Sequence, residues 1–324
     1  MPISSPILIL TNGTNTIRRM EDAGIPGVKE EWLEILHEGP VPMTDDRDAL
    51  NRIRARHFEA IGWTSYEGAL SGFSRRERRL ADPNQFRELQ LWFEHDLYDQ
   101  LQLIQLLDFL ADQPEWLAKA RLVQFTQFLG RVSETELLEG GDALRPVTAS
   151  QVKLAKQAWL AYRQPDPAAF AALLKVDSSA LPCLGSAIRR ICQELPDAAS
   201  GLGRSERQIL AVLEPGECEP HDLFRACQTA EEAPFMGDAS FFLIVERLTR
   251  GRFPMVALSK PEEFLLPSQA GDRAAFRSQR LKLTEAGRQA LKGEWDRLRD
   301  LPEPYWIGGC QISGRDAPRC CIGM

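Results

Sequence analysis

Short apolar runs alternate with longer segments of helical periodicity along the first 145 residues. The run P-I-L-I-L-T at 6–11 has the length of a strand and is closed by the turn signal Asn12-Gly13. The stretch 31–36 fits either a second strand or a short helix. Because strands and helices alternate, we expect a Rossmann-like α/β domain over 1–145, with a mainly parallel sheet and helices on both faces. The other predicted strands are 88–93 and 121–126, and the predicted helices are 14–23, 48–61, 65–80 and 97–111.

The pattern changes after residue 145. Helical segments follow one another over 146–200 without an intervening strand, which predicts a central helical segment. Three helices, two short strands and a last helix are then predicted over 201–300, an order typical of a winged helix. Residues 301–324 are interpreted as a C-terminal tail. The predicted helices of this half are 148–162, 167–176, 184–195, 205–213, 220–228, 238–250 and 285–298, and its predicted strands are 254–258 and 281–284.

Charge and cysteine usage restrict the classes of partner. The net charge of −7 argues against non-specific binding to nucleic acid or to an anionic membrane. Apolar runs stay well short of the roughly 20 residues that span a bilayer, so no membrane partner is expected. The seven cysteines are odd in number and contain no C-x-x-C spacing, which favours a reduced, cytoplasmic environment. The sequence assigns no role to the adjacent Cys320 and Cys321.

The end of the strand predicted at 88–93 holds the strongest candidate chemistry. Glu94, His95, Asp96 and Asp99 follow an apolar run and open a helix, at the position where α/β folds bind ligands. A histidine beside carboxylates can act as a general acid or base, so Glu94, His95 and Asp96 are candidate catalytic residues and Asp99 a candidate ligand-binding residue. In the alternative, Asp96 caps the helix and Asp99 stabilises its first turn, which accounts for both without a function.

A second histidine loop is expected to meet the first. His37 and Glu38 come shortly after the segment 31–36, and loops that follow parallel strands emerge at one edge of the sheet. We therefore add His37 and Glu38 to the candidate catalytic set. In the alternative, 39–42 forms a rigid turn and His37 caps a backbone group. Because neither H-x-x-H nor H-E-x-x-H nor a C-x-x-C pair is present, no metal is predicted, and the cofactor is left unassigned.

Asn12, Gly13 and Thr14 are predicted to bind a small anion, since a helix that starts after a strand presents backbone N–H groups. The signal is short: it lacks the three glycines of a dinucleotide fingerprint and the lysine of a P-loop. Arg54 and Arg56 are added as residues that orient the anion, because a guanidinium group can bind phosphate through two parallel hydrogen bonds. The expected ligand is a nucleotide or another phosphate ester.

Eight blocks of this chain form a recognisable set: Asn12-Gly13, 36–42, 54–58, 92–103, Trp159, 201–207, 235–238 and 306–309. Together they resemble the bacterial family called domain of unknown function 1835. The resemblance covers nearly the whole chain and implies no established activity. Two positions depart from the family pattern: Thr14 stands where members usually have aspartate, and the chain ends without their aromatic, basic tail.

Two functions from different classes follow. The first is a hydrolase or transferase whose α/β domain binds the anion, although the sequence leaves open whether the protein is an enzyme at all. The second is a transcription regulator that senses a ligand and binds DNA through its winged helix. DNA is not favoured, because the helix at 238–250 is mostly apolar and its acidic residues offset Arg247 and Arg250. A protein partner for this helix is the third interpretation.

Overall fold

A mainly parallel five-stranded sheet forms the centre of the first part of the molecule. The computed structural model describes residues 5–260, 262–269 and 273–320. The strand order is β2-β1-β3-β4-β5; the first four strands are parallel, and β5 runs antiparallel to β4. The expected α/β architecture with a parallel sheet is therefore confirmed. The strands are β1 (Ile7–Thr11), β2 (Val28–Glu31), β3 (Glu88–Glu94), β4 (Ala120–Phe125) and β5 (Arg145–Pro146).

Helices flank this sheet, and the apolar pattern of the sequence accounts for its central strand. β3 is buried from its second residue to its last, as expected of a strand covered on both faces. The second strand lies before the predicted stretch 31–36, because V-K-E-E is an edge strand without an apolar run. The helices are α1 (Thr14–Asp22), α2 (Arg47–Ala60), α3 (Tyr66–Leu80), α4 (Leu97–Ala111), α5 (Pro114–Leu117) and α6 (Glu134–Ala143).

The helices predicted over 146–200 pack onto the sheet unit. α7 (Ala149–Tyr162), α8 (Ala168–Ala172) and α9 (Leu184–Cys192) follow β5, and both α7 and α9 contact α4. Their buried side chains belong to the same apolar cluster as those of β3 and α4. In the structure this segment therefore completes the core of the first unit.

The C-terminal unit has an apolar cluster of its own. Three helices precede a two-stranded antiparallel sheet, and Cys218 adds an isolated bridge to Leu281. The last helix ends at Leu291, earlier than the predicted 298, and a 3-10 turn follows at Arg297–Asp300. The elements are α10 (Arg204–Leu213), α11 (Pro220–Thr229), α12 (Asp238–Thr249), β6 (Val256–Leu258), α13 (Arg273–Arg277), β7 (Leu281–Leu283) and α14 (Glu285–Leu291).

Part of the segment predicted as a tail, residues 305–312, returns to the first unit as a hairpin. β8 (Tyr305–Ile307) and β9 (Cys310–Ile312) pair antiparallel, and their buried side chains join the cluster of the sheet unit. Gly309 donates its N–H to the carbonyl oxygen of Tyr162 at 3.0 Å, and a Cβ at Gly309 would lie 1.9 Å from the neighbouring carbonyl oxygen of Arg163. Glycine is therefore required at this contact. The described chain ends at Cys320, and Cys321 lies outside it.

Within the described residues, the helices are too short or too polar to cross a lipid bilayer.

Candidate functional site

The site lies at the carboxyl ends of β1 and β3, from which the chain continues toward opposite edges of the sheet. β1 and β3 are neighbours, with β2 beyond β1 on one side and β4 beyond β3 on the other. In open α/β sheets, ligands bind beyond the carboxyl ends of the strands at such a switch point. Two short connections start there: the β1–α1 turn (Asn12, Gly13) and the β3–α4 turn (His95, Asp96).

Three buried carboxylates surround the β3–α4 turn. One oxygen each of Glu94, Asp96 and Asp99 lies within 4.8 Å of the others. Asp96 caps α4, because its Oδ1 accepts from the N–H of Asp99 at 3.0 Å. The alternative predicted from the sequence, a capping role for Asp96, is thus confirmed as local geometry. It does not account for Glu94, which has no exposed surface at all.

A single amide holds two of the carboxylates. Asn12 Nδ2 donates to Glu94 Oε1 at 2.8 Å and to Asp99 Oδ2 at 2.9 Å. The other oxygen of Asp99 accepts from the N–H of Glu94 at 2.6 Å. Both oxygens of Asp99 are therefore used within the protein, which makes Asp99 a residue that positions its neighbours. Glu94 Oε2, by contrast, is buried without a hydrogen-bond partner.

Burial and the mutual repulsion of the three carboxylates keep a proton on this cluster near neutral pH. Burial and the charge of Asp96 raise the pKa of Glu94 to about 8. Burial also raises the pKa of Asp96 to about 6, and that of Asp99 lies well above its ordinary value for the same reason. Because Asp99 accepts hydrogen bonds at both oxygens, we assign the proton to Glu94 and Asp96. Such a pair can give up and take back a proton at physiological pH.

Among the residues that the structure describes, these three carboxylates have oxygen atoms close enough together to hold a metal ion. No metal was predicted from the sequence. An ion would compete with the amide of Asn12 for Glu94 Oε1 and Asp99 Oδ2. The geometry therefore fits a shared proton better than a preformed metal site.

Both turns face a cavity of about 980 Å³ between the sheet unit and the C-terminal unit. His37 and His95 both line it. Thr14 also lines it, although its hydroxyl donates to Glu31 Oε2 at 2.6 Å and does not cap α1. Predicted residues in its wall are Asn12, Gly13, Thr14, His37, His95, Asp96 and Asp99, and the opposite wall includes Phe224, Arg225, Gln228, Phe235, Met236 and Ser240.

His37 is an unpaired imidazole in the wall of this cavity. The residue is 7% exposed, and neither ring nitrogen has a hydrogen-bond partner, so it caps no backbone group. Its ring packs edge-on against Phe235 and Tyr98, with centroids 5.2 Å and 6.0 Å away. Burial lowers the pKa of His37 to about 4, so the ring is neutral and offers one donor and one acceptor. Burial likewise lowers the pKa of the partly buried His95.

Glu38 faces a different cleft. It lines a cavity of about 710 Å³ with His57, whose Nε2 lies 3.9 Å from Glu38 Oε1. Gly39 adopts φ +72°, and a Cβ there would lie 2.3 Å from the ring of His57. Glu38 therefore does not join Glu94 and Asp96. His37 lies between the two cavities and lines both.

The two arginines predicted to orient an anion are located elsewhere. Arg54 is buried, pairs with Glu34 at 2.9 Å, and donates to the carbonyl oxygens of Glu38, at 2.8 Å, and Ile35. It thereby shapes the loop that presents His37. Arg56 is exposed on α2 and lines neither cavity. The structure thus replaces a ligand-binding role for Arg54 with a positioning role.

Sequence reasoning missed the rim of the large cavity. Trp63 and Phe128 come from the α2–α3 and β4–α6 connections, and Arg131 and Arg225 lie on the same rim. Large aromatic residues within otherwise polar loops were the available signal. Only the folded structure shows that the α2–α3 and β4–α6 connections line the same cavity.

No protein-family model matches this chain, and no curated protein matches it either.

Proposed function

We propose that the sheet unit is a Rossmann-like domain that binds a small phosphate-bearing anion at the switch point. In this proposal the Glu94–Asp96 pair supplies acid–base chemistry, as in a hydrolase or a transferase. The observation that supports it most is that the β1–α1 and β3–α4 turns open onto one cavity. One turn would hold the anion while the other moves the proton.

The β1–α1 turn is suited to an anion. Gly13 is the N-cap of α1 but supplies no side-chain cap, and the first turn of the helix contains no acidic residue. Its N–H groups and the positive end of the helix dipole therefore favour a negative ligand. A Cβ on Gly13 would meet nothing within 4 Å, so the side of this residue is open. Arg131 on the rim adds positive charge, whereas Arg225 is offset by Asp222 at 2.8 Å.

The β3–α4 turn is suited to proton transfer. Asp96 lines the cavity, and Glu94 lies behind it with Oε2 unpaired. In the protonated state the pair can donate to a leaving oxygen, and in the ionised state it can accept a proton from water. Asn12 and Asp99 act through Glu94 as positioning residues. An anion binds beside these carboxylates most readily while the pair keeps its proton.

The C-terminal unit, in the same proposal, is a winged helix whose role is to wall the cavities. Ser240 of α12 lines both cavities, and Arg247 lines the smaller one. Arg247 pairs with Glu206 at 3.2 Å, and Arg250 pairs with Glu246 at 2.7 Å. Arg250 is thereby offset by a carboxylate of its own, whereas Arg247 shares Glu206 with Arg297, which lies 3.0 Å from that carboxylate. One unbalanced charge gives little attraction to DNA phosphates. Binding of a duplex at low salt, lost on replacing both arginines, would instead favour the regulator.

The resemblance to the domain of unknown function 1835 family stays a proposal, and it adds no activity to this assignment.

Convergence of the two turns on one ligand is testable by NMR. Ribose 5-phosphate, added to isotope-labelled protein, is expected to shift the amide signals of 13–16 and of 95–99 together. Shifts confined to one turn would contradict a shared site.

The acid–base part needs a second measurement. The double variant Glu94→Gln with Asp96→Asn should stay folded and lose phosphate release from a panel of phosphate monoesters. If the wild type shows release and the folded variant retains it, the pair has no catalytic role. Unfolding of the variant would mean that this block is structural.

A further inference from the structure

We infer that the phosphate-bearing ligand is a nucleotide whose base stacks on the exposed aromatic side chains at the rim of the large cavity. This inference rests on the proposed function, and it names the class of molecule that the same site takes.

Exposed aromatic rings are concentrated at this rim. Trp63 is 40% exposed and Phe128 is 48% exposed, and both line the cavity. Leu33, 46% exposed, lies in the same wall. Large apolar side chains left in solvent around one pocket are typical of ligand sites. Stacking suits any purine or pyrimidine, because every base has a planar face.

Both rings are held in place from one side. The ring of Trp63 stacks on Phe58 with centroids 6.0 Å apart. Phe128 packs over Gly130, where a Cβ would lie 2.5 Å from its ring. These contacts order both rings before a ligand binds, which lowers the side-chain entropy that stacking would cost. The guanidinium carbon of Arg131 also lies 5.9 Å from the centroid of the Phe128 ring.

The polar groups of the cavity match the rest of a nucleotide. The uncapped start of α1 suits the phosphate, and Arg131 follows Phe128 in the same turn, closed by a 2.8 Å hydrogen bond from Arg131 N–H to the carbonyl oxygen of Phe128. His37 adds an independent sign of a ligand, because it is buried, lines the cavity and has both ring nitrogens unpaired. A neutral imidazole matches a ribose hydroxyl or a base edge, each of which donates and accepts. The volume of about 980 Å³ lies within the usual range for small-molecule sites.

Calorimetric titration of the full chain can separate the base from the phosphate. The probes are the four ribonucleoside 5′-monophosphates and ribose 5-phosphate. We expect at least one nucleotide to bind roughly 5- to 150-fold more tightly than ribose 5-phosphate, the usual gain from stacking one base. In the double variant Trp63→Ala with Phe128→Ala this advantage should vanish, while the affinity for ribose 5-phosphate stays unchanged.

Controls keep the outcomes distinct. Phe253→Ala removes an aromatic ring that is 43% exposed but does not line this cavity, and it should change nothing. Equal binding of nucleotides and ribose 5-phosphate, or an advantage that survives the double variant, would overturn the nucleotide assignment and leave the phosphate site standing. Failure of every probe to bind would overturn the proposed function itself. The milder pair Trp63→Leu with Phe128→Leu repeats the test should the alanine variant lose its native circular dichroism.

Discussion

The β1–α1 and β3–α4 turns occupy equivalent places on neighbouring parallel strands, yet they treat their helix starts in opposite ways. At α4 the cap is a buried aspartate, and Asp96 satisfies the N–H of Asp99 within the protein. At α1 the cap is Gly13, which supplies no side chain. The β3–α4 turn caps a backbone N–H with its own carboxylate and lies among further carboxylates. The β1–α1 turn provides no side-chain acceptor for the backbone N–H groups at the start of α1. The difference shows how one sheet edge can hold both an anion site and a proton-transfer site.

Asn12 connects the two turns. Its side chain belongs to the β1–α1 turn, but it donates to two carboxylates around the β3–α4 turn. Its Oδ1 accepts from the hydroxyl of Thr16 at 2.8 Å, which fixes the orientation of the amide. The geometry of the acid–base pair therefore depends on the turn assigned to the anion.

The largest expected effect concerns the pH dependence of stability. Glu94 keeps its proton to about pH 8 in the folded state, whereas its ordinary pKa is 4.5. The folded state therefore binds more protons over this interval, and the free energy of unfolding falls as the pH rises from about 4.5 to about 8. Glu94→Gln should remove the part of this slope that Glu94 contributes, while Asp96 and Asp99 keep contributing theirs. The variant should exceed the wild type at pH 9 by on the order of 4 kcal/mol. Urea unfolding at several pH values measures it.

Glu88→Gln, at the opposite end of β3 and away from the other two carboxylates, is the matched control. An unchanged slope in Glu94→Gln would mean that Glu94 is not the group that holds the proton.

Asn12→Asp should have the next largest effect. The change is isosteric but replaces a shared donor by a fourth carboxylate, facing oxygens 2.8 Å and 2.9 Å away. We expect the free energy of unfolding at pH 8 to fall by roughly 3 kcal/mol, and by less at pH 4, where the carboxylates are protonated. Asn15→Asp places the same charge on the exposed first turn of α1 and should be nearly neutral. Equal losses in the free energy of unfolding for Asn12→Asp and Asn15→Asp would mean that Asn12 does not interact with the carboxylate cluster.

Asp96→Asn should have the smallest effect on stability, since asparagine caps a helix as well as aspartate does. Its consequence is electrostatic: without the charge of Asp96, the pKa of Glu94 should fall below about 8. Carbon-13 NMR of the Glu94 carboxyl group measures this directly. Asp46→Asn, at the exposed cap of α2, controls for the capping change alone. A Glu94 pKa that does not move would refute a shared proton.

The sequence predicted the turns better than their surroundings. The apolar runs located β1, β3 and β4 within about a residue, and so placed Asn12 and Glu94 at one sheet edge. The pairing of Arg54 with Glu34 was not predictable, because a buried ion pair between a helix and an irregular loop leaves no local pattern. Nor was the rim of the cavity predictable: Trp63, Phe128 and Arg225 lie far apart in the chain and line one cavity only in the folded protein.

The contrast between the two helix starts is tested most directly by giving α1 the cap that α4 already has. Gly13→Asp meets open space, so its carboxylate can accept from the free N–H groups of the first turn and should raise the free energy of unfolding by a few tenths of a kcal/mol. Calorimetry with ribose 5-phosphate should show a loss of affinity of about tenfold or more in the same variant, because the protein's own charge now occupies the anion site. Undiminished affinity in a folded Gly13→Asp variant would contradict the account.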